Sequence, residues 1–138
     1  MLINVYDYGG SAQVLYDLLK ERDGRDDINI SHARMPTFDE HQEFVRSKPY
    51  RAWYLIPAPV QALGYTFAGS VYLTRQREVG IFLFKKYQGN GIGKAAIEEL
   101  RRRWPGPMKA NVNPANTHSA RFFTGLGFKI KQITYEAP

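Results

Sequence analysis

The chain has 138 residues, of which 43% are hydrophobic, and its 19 Lys and Arg against 13 Asp and Glu give a net charge of +6. These values predict one globular domain over residues 1–138 with a long-range attraction for an anionic partner. The lack of cysteine excludes disulfides and thiol catalysis, and without a signal peptide or a run of roughly 20 apolar residues we expect a cytoplasmic protein with no membrane partner.

The first half of the chain alternates predicted strands and helices. Residues 2–6 favour a strand, and Ser11 is suited to cap a first helix with one apolar face. Thr37 and Glu40 have the spacing of a capping box, which opens a second helix. Further strands are predicted at 51–56, 61–68, 70–74 and 78–84.

The second half continues the alternation without a linker or repeat. A long helix is predicted from Gly93 to just before Pro105, and a short helix from Thr117, with Asn116 or Thr117 as its cap. Strands are predicted at 108–112 and 128–135. The whole chain therefore reads as one continuous domain.

Residues 79–94 place a buried strand, a glycine loop and a helix start in direct succession. A helix N-terminus beside bare glycine backbone favours phosphate, because unpaired N–H groups face the anion. Three residues separate Gly89 from Gly93 and Ala95 follows Lys94, so the spacing excludes a nucleotide triphosphate P-loop. A dinucleotide GxGxxG loop is excluded as well, because it needs glycine where Lys94 stands.

The loop resembles the acyl-CoA pyrophosphate loop of the GCN5-related N-acetyltransferases (GNAT), with the sequence Gln88-Gly89-Asn90-Gly91-Ile92-Gly93. Residues 113–128 add the family's Asn-x-x-Ser/Ala signature, an aromatic helix and a Leu-Gly-Phe turn, in the family's order. The two motifs cover residues 78–130, and the earlier residues match in element order. The resemblance implies an α/β (α+β) fold, a single-domain mixed sheet flanked by helices.

The resemblance also implies acetyl-CoA as cosubstrate, with no metal. Pantetheine would bond to the backbone of Ile81, Phe82 and Leu83 as an added strand does, and Asn116 would reach the same arm. The residues expected around the pyrophosphate are Gln88, Gly89, Asn90, Gly91, Ile92, Gly93 and Lys94.

The implied reaction is direct transfer of an acetyl group to a primary amine. The chain departs from the family at two catalytic positions, where Phe123 replaces a proton-donating tyrosine and Asn111 replaces a glutamate base. The remaining candidates are Glu78, acting as a base through water, and Ser119 as proton donor. Their ordinary roles also stay open: Glu78 as a solvated carboxylate at the end of a strand, and Ser119 as a serine in the first turn of a helix.

The acceptor is expected to be a small molecule. Residues 35–45 look like the helix opening of acetyltransferases that act on nucleotide-linked amino sugars, and also of some ribosomal-protein and aminoglycoside acetyltransferases. His41 on this helix and Tyr54 on a nearby strand are the expected substrate-binding residues, although both types also occur as packed core residues. Tyr65 and Tyr72 are further candidates for the wall of the cleft.

Three alternatives remain open. The acceptor could be a protein or peptide N-terminal amine, or the domain could bind CoA without catalysis, as Phe123 and Asn111 suggest. A basic nucleic-acid module is not favoured, because the arginine run at 101–103 lacks interleaved aromatic residues and suits a solvated helix end. The oligomeric state is not fixed, and a homodimer stays open.

Overall fold

The computed structural model describes residues 1–23, 34–59 and 66–138, which form a mixed sheet flanked by helices, as the resemblance implies. The strands of these ranges are β1 Ile3–Asn4, β2 Ala52–Pro57, β3 Phe67–Leu73, β4 Glu78–Leu83 and β5 Lys109–Ala110. The helices are α1 Ser11–Asp23, α2 Phe38–Arg46, α3 Ile92–Arg103 and α4 Thr117–Gly125, with 3-10 turns at Val5–Asp7 and Lys85–Tyr87. In the same ranges no helix has the length and apolar character that a membrane crossing requires.

The strands lie side by side in chain order, with the first four antiparallel and β5 parallel to β4. β4 pairs with β3 along the register from Leu83, opposite Gly69, to Val79. It pairs with β5 only at Glu78 and Val79, opposite Lys109 and Ala110. Beyond Val79 the β5-facing edge of β4 therefore has no strand partner among the described residues.

Side chains fix the starts of two helices as the sequence predicts. The Thr37 hydroxyl accepts from the Glu40 N–H at 3.2 Å while the Glu40 carboxylate accepts from the Thr37 N–H at 2.8 Å, which completes the capping box of α2. The Asn116 side chain accepts from the Ser119 N–H at 3.0 Å and begins α4. Ser11 acts differently, because its buried hydroxyl donates to the carbonyls of Val5 and Tyr8.

Two apolar cores cover the two faces of the sheet. One contains Ile97 and Leu100 of α3, and the other contains Leu15 and Leu18 of α1 with Val45 of α2. β2 separates them and is buried on both sides, so its side chains alternate between the cores although nearly all of them are apolar.

Two features of the predicted strands are wrong. The break expected at Gly69, between the segments at 61–68 and 70–74, is absent, because the single strand β3 runs through it, while residues 61–65, including Tyr65, lie outside the described residues. The segment at 128–135 forms no strand, and Ile130 is 82% exposed. An apolar, branched sequence favours a strand only where a partner edge is available, and β5 is two residues long.

Candidate active site

A cavity of about 590 Å³ lies against β4 and opens between this strand and helices α1 and α2. Glu78, Gly80 and Phe82 line it from the strand, and His41 and Phe44 line it from α2. This is a volume suited to a small ligand or an inserted side chain.

Gly80 is needed for the shape of this cavity. A Cβ atom at Gly80 would lie 2.1 Å from the ring of Tyr72, so only glycine lets that ring lie over the backbone of β4. Tyr72 lines the same cavity and stacks on Tyr50, with ring centroids 4.0 Å apart and an interplanar angle of 6°. Burial raises the pKa of Tyr50, and Tyr72 raises it further, so the Tyr50 hydroxyl stays protonated at neutral pH.

A second, smaller cavity of about 80 Å³ adjoins the first along the unpaired edge of β4. Both cavities are lined by Ile81, Phe82, Asn116 and Ser119. The smaller one continues towards the glycine loop, and its other lining residues are Leu83, Gln88, Gly93, His118 and Phe122. The two spaces and the open strand edge together form one trough from α2 to the start of α3.

The glycine loop has the backbone that close approach of an anion requires. Gly89 and Gly91 have φ angles of 81° and 77°, in the left-handed region that favours glycine. Gly91 precedes α3 and supplies no side-chain cap, so within the described part of the chain the first N–H groups of this helix lack a side-chain acceptor. At Gly93 a Cβ would meet Phe122 at 3.1 Å and Leu83 at 3.4 Å, so glycine keeps this wall of the smaller cavity open. These features fit a diphosphate held by backbone amides.

The other predicted loop residues lie at the same place. Gln88 donates from its side chain to the Leu83 carbonyl at 3.4 Å, and Asn90 is exposed. Ile92 packs against the core, and exposed Lys94 lies 4.0 Å from the carboxylate of Glu98. That weak surface pair leaves the ammonium group of Lys94 accessible for an anion.

Glu78, at the start of β4, and Asn111, directly after β5, form a hydrogen-bonded pair. The side-chain amide of Asn111 donates to a Glu78 carboxylate oxygen at 2.7 Å, and both residues line the larger cavity. The two residues are 33 positions apart in the sequence and are neighbours in space. This bond uses one oxygen of the Glu78 carboxylate, and the other oxygen has no hydrogen-bond partner among the described residues.

Ser119 and Asn116 lie where the two cavities meet. Asn116 is buried, and its oxygen is occupied by the start of α4, which leaves its amide nitrogen as a donor. Phe123, at the position of the family's tyrosine, lines the larger cavity and belongs to the core. Among these residues the Ser119 hydroxyl is therefore the side chain able to donate a proton.

His41 lines the larger cavity, as expected of a substrate-binding residue, but its ring nitrogen Nε2 is buried and has no partner among the described residues. Burial lowers the pKa of His41, and a hydrogen bond to the Ala12 carbonyl offsets this only in part. The imidazole is therefore neutral at pH 7, and it shapes the wall of the cavity rather than accepting a proton from solvent.

Tyr54 does not line either described cavity, in contrast to the expectation from the sequence. Its side chain packs in the core on the α3 side, and its hydroxyl accepts from the indole N–H of Trp104 at 3.0 Å. The neighbouring Trp53 faces the cavity instead, because successive side chains of a strand point to opposite faces.

An aromatic cluster in the larger cavity was missed by the sequence reasoning. Tyr50 and Trp53 meet edge to face with centroids 4.8 Å apart, and Phe44 meets Tyr50 at 6.0 Å and Trp53 at 6.1 Å. One signal was available, because Phe44 follows His41 by three residues and so shares its side of α2. Arg22 lines the same cavity, with its guanidinium carbon 5.7 Å from the centre of the Phe82 ring.

Comparison with known proteins adds family evidence. Residues 15–128 match the sequence profile of the acetyltransferase (GNAT) family. Over 62 residues the chain is 34% identical to the peptidyl-lysine N-acetyltransferase YjaB of Salmonella typhimurium, a stretch that covers 45% of this chain and 42% of that protein. The chain thus matches less than half the length of this curated relative.

Solved structures share the fold. A domain from Methanocaldococcus jannaschii superposes with a TM-score of 0.74 at 16% identity, covering 99% of this chain and 92% of that one. Two mutants of the BH1408 protein from Bacillus halodurans give TM-scores of 0.63 and 0.61 at 16% and 17% identity, covering 100% of this chain and 97% of theirs. At these identities the likeness concerns the fold alone.

Proposed function

Because this chain belongs to the acetyltransferase (GNAT) family, we propose that it transfers an acetyl group from acetyl-CoA to a primary amine by direct attack. The observation that carries the proposal is the trough in which the glycine loop, the open edge of β4 and the larger cavity follow one another. Such a trough can hold an elongated thioester carrier at one end and an amine at the other.

The carrier would be held mainly by backbone. Residues 89–94 would bind its diphosphate at the start of α3, and the free edge of Ile81, Phe82 and Leu83 would bond to its pantetheine arm. Acetyl-CoA supplies the activated acetyl thioester. A backbone N–H of the same edge is the proposed donor to the thioester carbonyl oxygen.

Two side chains are proposed to move protons. Glu78, oriented by Asn111, would take a proton from the attacking amine through a water molecule. Ser119, at the junction of the cavities, would give a proton to the departing thiolate. The new bond joins the amine nitrogen to the carbonyl carbon, and the bond that breaks joins this carbon to sulfur.

The proposed acceptor is a small-molecule amine such as a nucleotide-linked amino sugar. The larger cavity supports this class, because it is bounded by α1, α2 and β4 and has a volume in the range of small-ligand sites. A peptidyl lysine is the second candidate, favoured by the activity in the name of the Salmonella relative. A long lysine side chain could enter the same cavity from the surface.

The test is a comparison of acceptors with acetyl-CoA labelled in the acetyl group. Nucleotide-linked amino sugars, simple amines, a lysine peptide and a peptide with a free N-terminus would be incubated with the protein, and the products identified by mass spectrometry. Labelled small-molecule amide supports the proposal. Labelling of the peptides alone would overturn the proposed acceptor class. If neither the amines nor a cell extract gives a labelled product, the assignment of the protein as an acetyltransferase is overturned.

A further inference from the structure

The acceptor end of the larger cavity carries a half-exposed aromatic ring. Phe44 is 45% exposed although it lines the cavity, whereas Trp53 behind it is 6% exposed. Large apolar side chains with this exposure inside a concave site are candidates for contact with an apolar part of a ligand.

The packing around Phe44 leaves a place for one more ring. Tyr50 and Trp53 lie nearly perpendicular to Phe44, at interplanar angles of 81° and 76°, and cover part of its surface, while 45% of the side chain stays exposed. Tyr50 in turn has Tyr72 stacked on one face, at an angle of 6°. Aromatic rings favour such stacked and edge-to-face contacts with centroids about 4.5–7 Å apart. An added ring on the open surface of Phe44 would continue the pattern.

The cluster also has a defined relation to the proposed chemistry. Tyr72 lies over Gly80, two residues from Glu78 on the same face of β4. The aromatic wall therefore runs from Phe44 on α2 through Tyr50 and Tyr72 to the strand that carries the carboxylate.

We propose that the acceptor amine is attached to a flat ring, which packs against Phe44 and Tyr50 while the amine points towards Glu78. This inference rests on the proposed function and narrows its acceptor class. It makes Phe44 a specificity-determining residue, since its flat face and not only its volume is used.

The experiment compares three primary amines of similar size: 2-phenylethylamine, which is flat, 2-cyclohexylethylamine, which is not, and linear hexylamine. With acetyl-CoA as donor, kcat/KM for the flat amine should exceed that for each of the others by roughly 3- to 10-fold. Phe44→Leu keeps an apolar side chain but removes the flat face, so the ratio of kcat/KM for the flat amine to kcat/KM for each of the other two should fall to about one, whatever the absolute rates of the variant.

Phe38→Leu is the matched control. Phe38 lies on the same helix but packs edge to face on Tyr16, with centroids 5.3 Å apart, and does not line the larger cavity. This variant should keep the preference of the unaltered protein. Equal kcat/KM for the flat and non-flat amines, or an equal loss for all three amines in Phe44→Leu, would overturn the inference while the acetyltransferase proposal stands.

A binding measurement separates the two failures. If no amine is acetylated, the proposed function fails, and saturation-transfer NMR with the CoA complex tests the ring site by itself. Binding of 2-phenylethylamine that Phe44→Leu weakens by at least threefold and Phe38→Leu leaves unchanged supports the ring site. Absent or variant-independent binding overturns it.

Discussion

Replacing Glu78 by glutamine is the sharpest test of the proposed proton transfer. The Asn111 amide donates to Glu78 at 2.7 Å, and a glutamine carbonyl oxygen can accept the same hydrogen bond. The Glu78 N–H also bonds to the Thr74 hydroxyl at 3.0 Å, a backbone contact that the substitution does not touch. Glu78→Gln therefore removes the proton acceptor while retaining the contacts that hold residue 78.

The expected effects on rate and on stability differ widely in size. A positioned general base contributes roughly 10²- to 10⁴-fold to rate, so kcat should fall by about that factor. This corresponds to about 3–5 kcal/mol in the activation free energy, at about 1.4 kcal/mol per factor of ten. The free energy of unfolding should change by less than about 0.5 kcal/mol, because no buried contact is lost.

The assay is release of free CoA thiol, detected with a chromogenic disulfide reagent. The chain has no cysteine, so the protein itself adds no signal. Glu43→Gln is the matched control, because Glu43 is exposed, pairs with Arg46 at 2.9 Å and lies outside the larger cavity. If Glu78→Gln keeps kcat within threefold of the unaltered protein, the assignment of Glu78 as base is refuted.

Three further predictions concern the loop, the sheet and the buried histidine. Gly91→Val places a branched side chain at a φ of 77°, which costs about 1–2 kcal/mol, and calorimetry should show CoA affinity reduced at least tenfold. Gly69→Ala would put a Cβ 2.0 Å from the Phe82 carbonyl oxygen, so urea unfolding should show a loss of about 3 kcal/mol. Burial lowers the pKa of His41 in the folded protein, so below the ordinary His pKa of about 6.5 the unfolded chain binds a proton more readily than the folded chain does. The melting temperature should therefore decrease as the pH is lowered below about 6.5. His41→Gln should make that fall shallower.

Two glycine variants are controls for the first two predictions. Gly125→Ala and Gly9→Ala add a Cβ that meets no atom of the described residues within 4 Å, at positions without a positive φ, and should leave CoA affinity and stability nearly unchanged. Unaltered CoA affinity in Gly91→Val would contradict the role of the loop, and stability within 0.5 kcal/mol in Gly69→Ala would contradict the close approach of β3 and β4. For His41, whose cavity also contains Arg22, Glu40 and Glu78, an unchanged pH dependence in the variant would assign the fall to other groups.

Local signals in the sequence predicted much of the fold. The capping box of Thr37 and Glu40 and the cap at Asn116 are contacts between residues three apart, so their spacing is sufficient to predict them. The glycine loop could be predicted for a similar reason, because a left-handed backbone conformation depends mainly on the type of residue at that position. The family profile confirms the family prediction, while the roles of individual site residues stay predictions.

The failures concern choices that depend on distant residues. β2 is buried on both faces, so its sequence has no polar alternation to show that Trp53 and not Tyr54 faces the cavity. The predicted strand at 128–135 failed because a strand needs a partner, which its own sequence cannot reveal. The aromatic cluster combines α2, the residues before β2, and β3, and its assembly depends on the tertiary fold.

The unpaired edge of β4 has a consequence for the lifetime of the protein in a cell. A carrier that bonds to this edge adds a missing strand, so it binds the folded chain and not the unfolded one. At a concentration one hundred times its dissociation constant, such a ligand adds about 2.7 kcal/mol to the free energy of unfolding. The concentration of the acyl carrier would then influence how much of the enzyme stays folded and protected from proteolysis. A cell short of the carrier would also contain less of the enzyme.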